Sequence, residues 1–355
     1  MASGTVKLSD VAERAGVHPA TVSRALSDST SHMVNSATRE RVVAAARELG
    51  YRPNPIARSL KTNRSFTVAV LIPDITNPLF PPMVRGIEDA LAPAGFTALV
   101  ANTDNDEDRA RTALETMRAR QVDGCIAATA TRDDGPLMEA AAGLSLVLIN
   151  RRITSHAIPA VVADDRSGVR QAVEHLAALG HERIAHVAGP QWASTGAARH
   201  EAFLETLAAV GLEPDADAIR FGDAFTEEQG ERALTELLDA RVEFSGLVAG
   251  NDLMALGCYD ALAERGLRCP DDVSIVGFND MPFADKFNPP LTTVRIPHYE
   301  MGLRAAELLL ERIGDDDGEP AEDLVLPVQL VQRASTAPAP ARRRRSAPGQ
   351  PAAPG

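Results

Sequence analysis

VKLSDVAERAGVHPATVSRAL, residues 6–26, decides how the rest of the chain is read. Val11, Ala12 and Ala15 recur at helical spacing, and Val22 and Leu26 do so again beyond Gly16. Ser9 is an N-cap candidate, Gly16 stops the first helix, and Pro19 suits the first turn of a second helix over Pro19–Leu26. Two short helices crossing over a glycine turn form a helix-turn-helix, with Val11, Ala12, Ala15, Val17, Val22 and Leu26 as its small core. His18, Pro19, Ala20, Thr21, Ser23 and Arg24 are then left outside, able to face a major groove. Arg24 can bond guanine or a phosphate, Thr21 and Ser23 suit phosphates or base edges, and Ala20 suits a thymine methyl. An Ala-rich helical pair also arises by chance. A third amphipathic stretch over Ser36–Leu49, with Asn35 placed to cap it, favours a three-helix DNA-binding head.

Beyond this head, Tyr51-Arg52-Pro53-Asn54-Pro55 breaks the helix, and a boundary follows near Thr62–Phe66. From Thr67 the pattern becomes apolar strands alternating with helices: Val68–Ile72, Met83–Leu91, Thr97–Ala101, Asp106–Arg118, Gly124–Ala128 and Leu146–Ile149. That alternation predicts parallel strands with crossover helices, an α/β fold. A second run begins around Val161, with strands at Ile184–Ala188, Gly246–Ala249 and Ser274–Phe278, so two similar lobes are the simplest reading. A composition of 45% hydrophobic but only 4% aromatic residues fits a core of Ala, Val, Leu and Ile packed between helices and sheet.

Charge is distributed unevenly. The 355 residues carry −13 overall, yet residues 1–64 hold ten Lys/Arg against five Asp/Glu and Arg342–Arg345 add four positive charges, which leaves −22 for the stretch between. A basic head on an acidic body concentrates attraction for DNA at one end. Cys125, Cys258 and Cys269 have no metal or disulfide spacing and read as reduced core residues. The N-terminus lacks the apolar run of a signal peptide, and no apolar segment approaches membrane-spanning length, so a soluble, cytoplasmic protein is expected. From Pro338 the Ala, Pro, Gly and Arg composition reads as a disordered tail, and Asp315-Asp316-Asp317-Gly318 as an acidic turn.

VKLSDVAERAGVHPATVSRAL, together with VNSATRERVVAAARELGYRPNPIARSLKTNRS at residues 34–65, resembles the LacI/GalR family of bacterial transcription regulators. The resemblance runs to about Thr336 through IPDITNPLF, RGIEDAL, VDGCIA, HLAALGHERIAHVAGP, GNDLMALG, DDVSIVGFND and PPLTTVR. It implies a helix-turn-helix domain at 1–54, a hinge helix and linker at 55–66, and a two-lobed periplasmic-binding-protein-like core of parallel sheets flanked by helices at 67–337. Lobe 1 is expected at about 67–162 and 294–322, lobe 2 at about 163–293 and 323–337, with the tail at 338–355. The resemblance further implies a recognition helix at Pro19–Leu26 and a minor-groove wedge at Leu60, where an apolar side chain between base steps would kink the duplex. Ser9, Asn35, Asn54, Ala57 and Arg58 complete the DNA-facing set. Two departures stand out: His18 where the family usually has a capping Ser, and a slightly long connector over Ser27–Met33.

In parallel α/β sheets, ligands sit beyond the carboxyl ends of the strands. Asp74 and Asn77, Asn150 and Arg151, Asn251 and Asp252, and Asn279 all follow strands in this way. Placed on the family's motifs, the effector contacts are Asn77, Phe80, Asn150, Arg199, Phe225, Asn251 and Asn279. An Arg fork at 199 can bind vicinal hydroxyls or a carboxylate, and Phe80 or Phe225 can stack on a sugar's apolar face. Asn and Asp after strands also serve simply as helix caps, as Asp252 would. Asn150 and Asn279 stand where sugar-binding relatives commonly have Asp, which trades charged acceptors for groups that donate as well as accept.

The expected function is a DNA-binding repressor acting as a homodimer on palindromic double-stranded operator DNA and governed by a small effector, a saccharide in first place with a nucleoside or other metabolite as the alternatives. No G-x-G, P-loop or G-x-S-x-G motif is present, and His175, His181 and His186 have no metal spacing or nucleophile partner, so neither catalysis nor a cofactor or metal is expected. The alternative is a solute-binding protein without a DNA-regulatory role, against which the basic helical head counts.

Overall fold

The structure, a computed structural model, describes residues 6–26, 30–51, 64–133, 139, 141–155, 158–314 and 322–340. The chain divides into two compact units, Met1–Phe66 and Thr67–Gly355.

In the first unit, helix α1 spans Leu8–Ala15, α2 Pro19–Ala25 and α3 Ser36–Leu49. Val11, Ala12, Ala15, Val22, Ala25, Val42, Ala45 and Ala46 form its buried core. Val17 and Leu26, expected inside, only pack against that cluster. Small side chains suit a core this thin, because short helices can then approach closely. Gly16 ends α1 in a left-handed conformation (φ 64°), and the Val17 N–H reaches back to the Ala12 carbonyl at 3.0 Å. Ser9 is not the N-cap of α1. The helix starts earlier, so that Lys7 occupies the cap position and its N–H donates to Asp10 Oδ2 at 2.8 Å, while the Ser9 hydroxyl donates to Asp10 Oδ1 at 3.2 Å. Asp10 outcompetes Ser9 because a carboxylate in the first turn satisfies the free N–H and the helix dipole together. The expected hinge helix, with Asn54, Ala57, Arg58 and Leu60, lies outside the described residues.

The second unit holds two six-stranded sheets. The strands are β1 Thr67–Ile72, β2 Thr97–Asn102, β3 Gly124–Ala127, β4 Ser145–Ile149, β5 Ala160–Ala163, β6 Ile184–Ala188, β7 Ile219–Phe221, β8 Gly246–Ala249, β9 Ser274–Asn279, β10 Thr292–Arg295, β11 Leu324–Leu326 and β12 Gln329–Val331. They order as β11-β5-β4-β3-β1-β2 and β12-β10-β9-β8-β6-β7, parallel throughout except for the antiparallel β10–β12 pair. The helices are α4 Phe80–Leu91, α5 Glu107–Ala119, α6 Asp165–Ala178, α7 Ser194–Ala209, α8 Glu227–Asp239, α9 Asp252–Glu264 and α10 His298–Gly314.

The chain therefore passes between lobes after β5, after β10 and between β11 and β12. Two expected boundaries move. Residues 324–326, placed in lobe 2 from sequence, pair with Val161–Ala163 in the first sheet, and residues 294–295, placed in lobe 1, pair with Phe278–Asn279 in the second. Strands of three or four residues carry too little local pattern to reveal which sheet takes them. The segment expected to be loose from Pro338 is still anchored at Ala339, whose N–H donates to the Leu179 carbonyl at 2.9 Å.

In each lobe two helices meet through paired glycines. A Cβ at Gly302 would overlap the Met83 carbonyl oxygen and one at Gly86 that of Tyr299, holding α10 against α4; Gly257 and Gly230 stand in the same relation to Glu227 and Met254, for α9 and α8. Only a missing side chain permits backbones to come this close.

Candidate effector cleft and DNA-reading surface

On the head, α2 presents the residues that the spacing placed outside. His18, Pro19, Ala20 and Arg24 are exposed, Thr21 and Ser23 half-buried, and Val22 and Ala25 point inward. His18 does cap the helix: its Nδ1 accepts the Ala20 N–H at 3.2 Å. Because a backbone N–H must donate here, Nδ1 is the accepting atom of the ring. The ring thus takes over the usual serine's acceptor role. Asn35 caps α3 through the Thr38 N–H at 2.8 Å. Its carbonyl is thereby committed to the fold.

In the second unit, the loops after strands of both sheets converge on a cleft. All seven expected effector residues line it: Asn77, Phe80 and Asn150 from the first lobe, and Arg199, Phe225, Asn251 and Asn279 from the second. Arg199, on α7, is 4% exposed and organises the second-lobe wall. Its Nε donates to Asp165 Oδ1 at 2.8 Å, Nη1 to the Gly250 carbonyl at 2.7 Å and Nη2 to Asn279 Oδ1 at 3.4 Å. The guanidinium also lies 3.7 Å from the centroid of Phe278, a cation–π contact that fixes its plane. Burial raises the Asp165 carboxyl, with Arg199 pulling the other way. Phe225 packs its ring over Gly189, where a Cβ would strike it.

Asn150 (φ 67°) and Asn279 (φ 113°) end their strands in positive-φ conformations. Asn reaches such backbone more readily than most residues, which gives a conformational reason for amides at these two positions. Asn251 combines two roles, lining the cleft and capping α9 by accepting the Met254 N–H at 2.8 Å. The cap is thus Asn251, and Asp252, expected to serve as one, is the first residue of the helix. Asp252 is fully buried instead, its carboxylate accepting from Met281 N–H at 2.7 Å and from the Thr293 hydroxyl, and burial pushes its pKa up to about 7.

The cleft also contains residues outside the expected set. Asp74 and Arg151 were legible as post-strand loop residues; Asn105, Trp192, Thr195 and Thr226 were not. Trp192 is the sole tryptophan of the chain, and the Arg151 guanidinium lies over it at 4.9 Å. That pairing joins residues 41 positions apart, beyond any local pattern.

A helix-turn-helix head followed by two parallel-sheet lobes that close on a polar cleft defines a ligand-responsive DNA-binding regulator. Residues 7–54 match the family model for bacterial regulatory proteins of the lacI family, and residues 173–336 that for a periplasmic binding protein-like domain. The chain is 34% identical to the HTH-type transcriptional repressor CytR of Escherichia coli K12, over 93% of its own length and 96% of the relative's. It superimposes on a transcriptional regulator CelR–cellobiose complex with TM-score 0.72 and 34% identity, covering 93% of this chain and 99% of that one. For a lac repressor dimer bound to operator and the anti-inducer ONPF the TM-score is 0.81 at 29% identity, covering 94% and 100%. The chain belongs to the LacI family: it is a DNA-binding transcription regulator, not an enzyme. Among the described residues, no helix is long and apolar enough to cross a membrane.

Proposed function

We propose that the protein is a cytoplasmic homodimeric repressor of palindromic operator DNA, with its affinity controlled by a saccharide in the cleft. The observation that carries the reading is the convergence of Asn77, Phe80, Asn150, Arg199, Phe225, Asn251 and Asn279 on one cleft with a polar and aromatic lining. Relatives described in complex with cellobiose, ribose and ONPF support a sugar-like effector, and the operator-bound lac repressor dimer supports the paired-head arrangement. His18, Pro19, Ala20, Thr21, Ser23 and Arg24 read the major groove in this proposal, with Ser9 and Asn35 beside them. Asn54, Ala57, Arg58 and Leu60 contribute the hinge contacts, Leu60 as the minor-groove wedge.

The test is selection of bound duplexes from a random DNA pool by purified protein, with and without a panel of sugars. Recovery of a palindrome, altered by a sugar, is the expected result. Folded protein that recovers no sequence under any condition overturns the reading in favour of a solute-binding role. Leu60→Ala should weaken selected-operator binding while leaving sugar binding intact.

A further inference from the structure

The two arginines lining the cleft differ in what answers their charge. Arg199 has the Asp165 carboxylate at 2.8 Å, itself buried. Arg151 is equally buried, at 4% exposure, yet among the described residues no carboxylate pairs with it. Its Nη1 donates to the Asn105 side-chain carbonyl at 3.0 Å, its plane rests on Trp192, and its Nε is buried with no hydrogen-bond partner. Burial alone lowers the guanidinium's pKa to about 10, with no anion opposing the shift.

The rest of the lining is biased in the same direction. The side-chain carbonyl of Asn77 accepts the Leu79 N–H, that of Asn251 the Met254 N–H and that of Asn279 an Arg199 N–H. The Asn251 Nδ2 also donates to the Phe225 carbonyl at 3.5 Å, so the NH2 donors left to an incoming ligand are chiefly those of Asn77 and Asn279. Asp74 is the carboxylate on the lining, and its Oδ1 already accepts from the Thr76 N–H and hydroxyl at 2.8 and 2.7 Å. A buried guanidinium without a counter-charge is costly, and its fork matches a carboxylate or phosphate oxygen pair.

We propose that the effector is an anionic saccharide whose carboxylate or phosphate is held by Arg151 at the Trp192 end of the cleft. The proposal rests on the reading that the cleft takes a saccharide, and it names the class. Arg199 then orders the second-lobe wall, and Arg151 selects for charge.

The test titrates full-length protein without DNA, following the emission of Trp192, which no second tryptophan obscures. The probes are glucose, glucuronate and glucose 6-phosphate, then ribose and ribose 5-phosphate, with inorganic phosphate alone. At least one charged sugar should bind about 10-fold or more tightly than its neutral parent, the scale of a charge-assisted hydrogen bond, with an advantage that shrinks as salt is raised. Preference for glucuronate identifies a carboxylate, and preference for the phosphorylated sugars a phosphate. Arg151→Met should erase the advantage, and Arg151→Lys should leave part of it. Neutral sugars that bind as well as the charged ones, no binding by any charged sugar, inorganic phosphate equalling the sugar phosphates, or an advantage that survives in Arg151→Met would each overturn the proposal. Operator selection without ligand is a separate measurement, so failure here is distinguishable from failure of the regulator reading.

Discussion

On the second-lobe wall of the cleft Arg199 is locked by three protein acceptors, whereas on the first-lobe wall Arg151 has one acceptor, an aromatic face and a buried Nε left over. Both are equally hidden from water, so the contrast lies in pairing rather than burial. A guanidinium satisfied by its own fold is a scaffold, and one short of acceptors is ready for a ligand that supplies them. A second contrast, between this deep cleft and the exposed cap and ion pair of the head, sets the order of the expected effects.

The largest follows from Arg199→Met, which strands Asp165 in the interior. Breaking a buried pair in this way costs about 3–5 kcal/mol, so the thermal midpoint should fall steeply and the sugar response should be lost. An unchanged midpoint would mean that the wall does not depend on this arginine. Gly302→Ala forces a methyl onto the Met83 carbonyl between α4 and α10, with an expected loss of about 1–3 kcal/mol by denaturant unfolding.

Protonation sharpens the comparison further. His186 and His298 are buried with pKa values lowered to about 3 and about 4, so below pH 6.5 the unfolded chain takes up protons that the fold refuses, and stability falls with pH. Asp252 opposes this, because its pKa near 7 lets the fold bind a proton that the unfolded carboxyl, at 3.8, does not hold until lower pH; Asp165 is raised in the same direction. With two strongly lowered imidazoles against one strongly raised carboxyl, the midpoint should decline between pH 6.5 and 4.5. Asp252→Asn should steepen that decline, and a flatter profile would reverse the assignment.

Smaller effects belong to the head. His18→Ala should destabilise α2 by about 1 kcal/mol, while His18→Ser should restore most of the cap, as read by thermal unfolding of the full chain. Arg14→Ala removes an ion pair to Glu48 whose side chains are 55% and 56% exposed, and should change stability by less than about 1 kcal/mol.

Local pattern was a good guide wherever the physics is local. Ser36–Leu49 was bounded correctly because an Asn cap and a following Gly bracket a helix-period run, and the alternation beyond Thr67 announced parallel lobes. Ser9 was misplaced because the neighbouring Asp10 competes for the same N–H groups. The lobe crossings slipped because β10 and β11 are too short to declare a sheet. All seven motif-placed effector residues reached the cleft, yet Asn105, Trp192, Thr195 and Thr226 did not stand out beforehand.

By itself, then, the sequence determined a helical head, two α/β lobes and a family, since helix periods, strand runs and caps involve residues a few positions apart. Which arginine would be satisfied and which left short was decided only by the tertiary structure. Arg199 bonds residues 34, 51 and 80 positions away, and Arg151 finds Asn105 at a separation of 46, so their pairing is set by how two sheets meet.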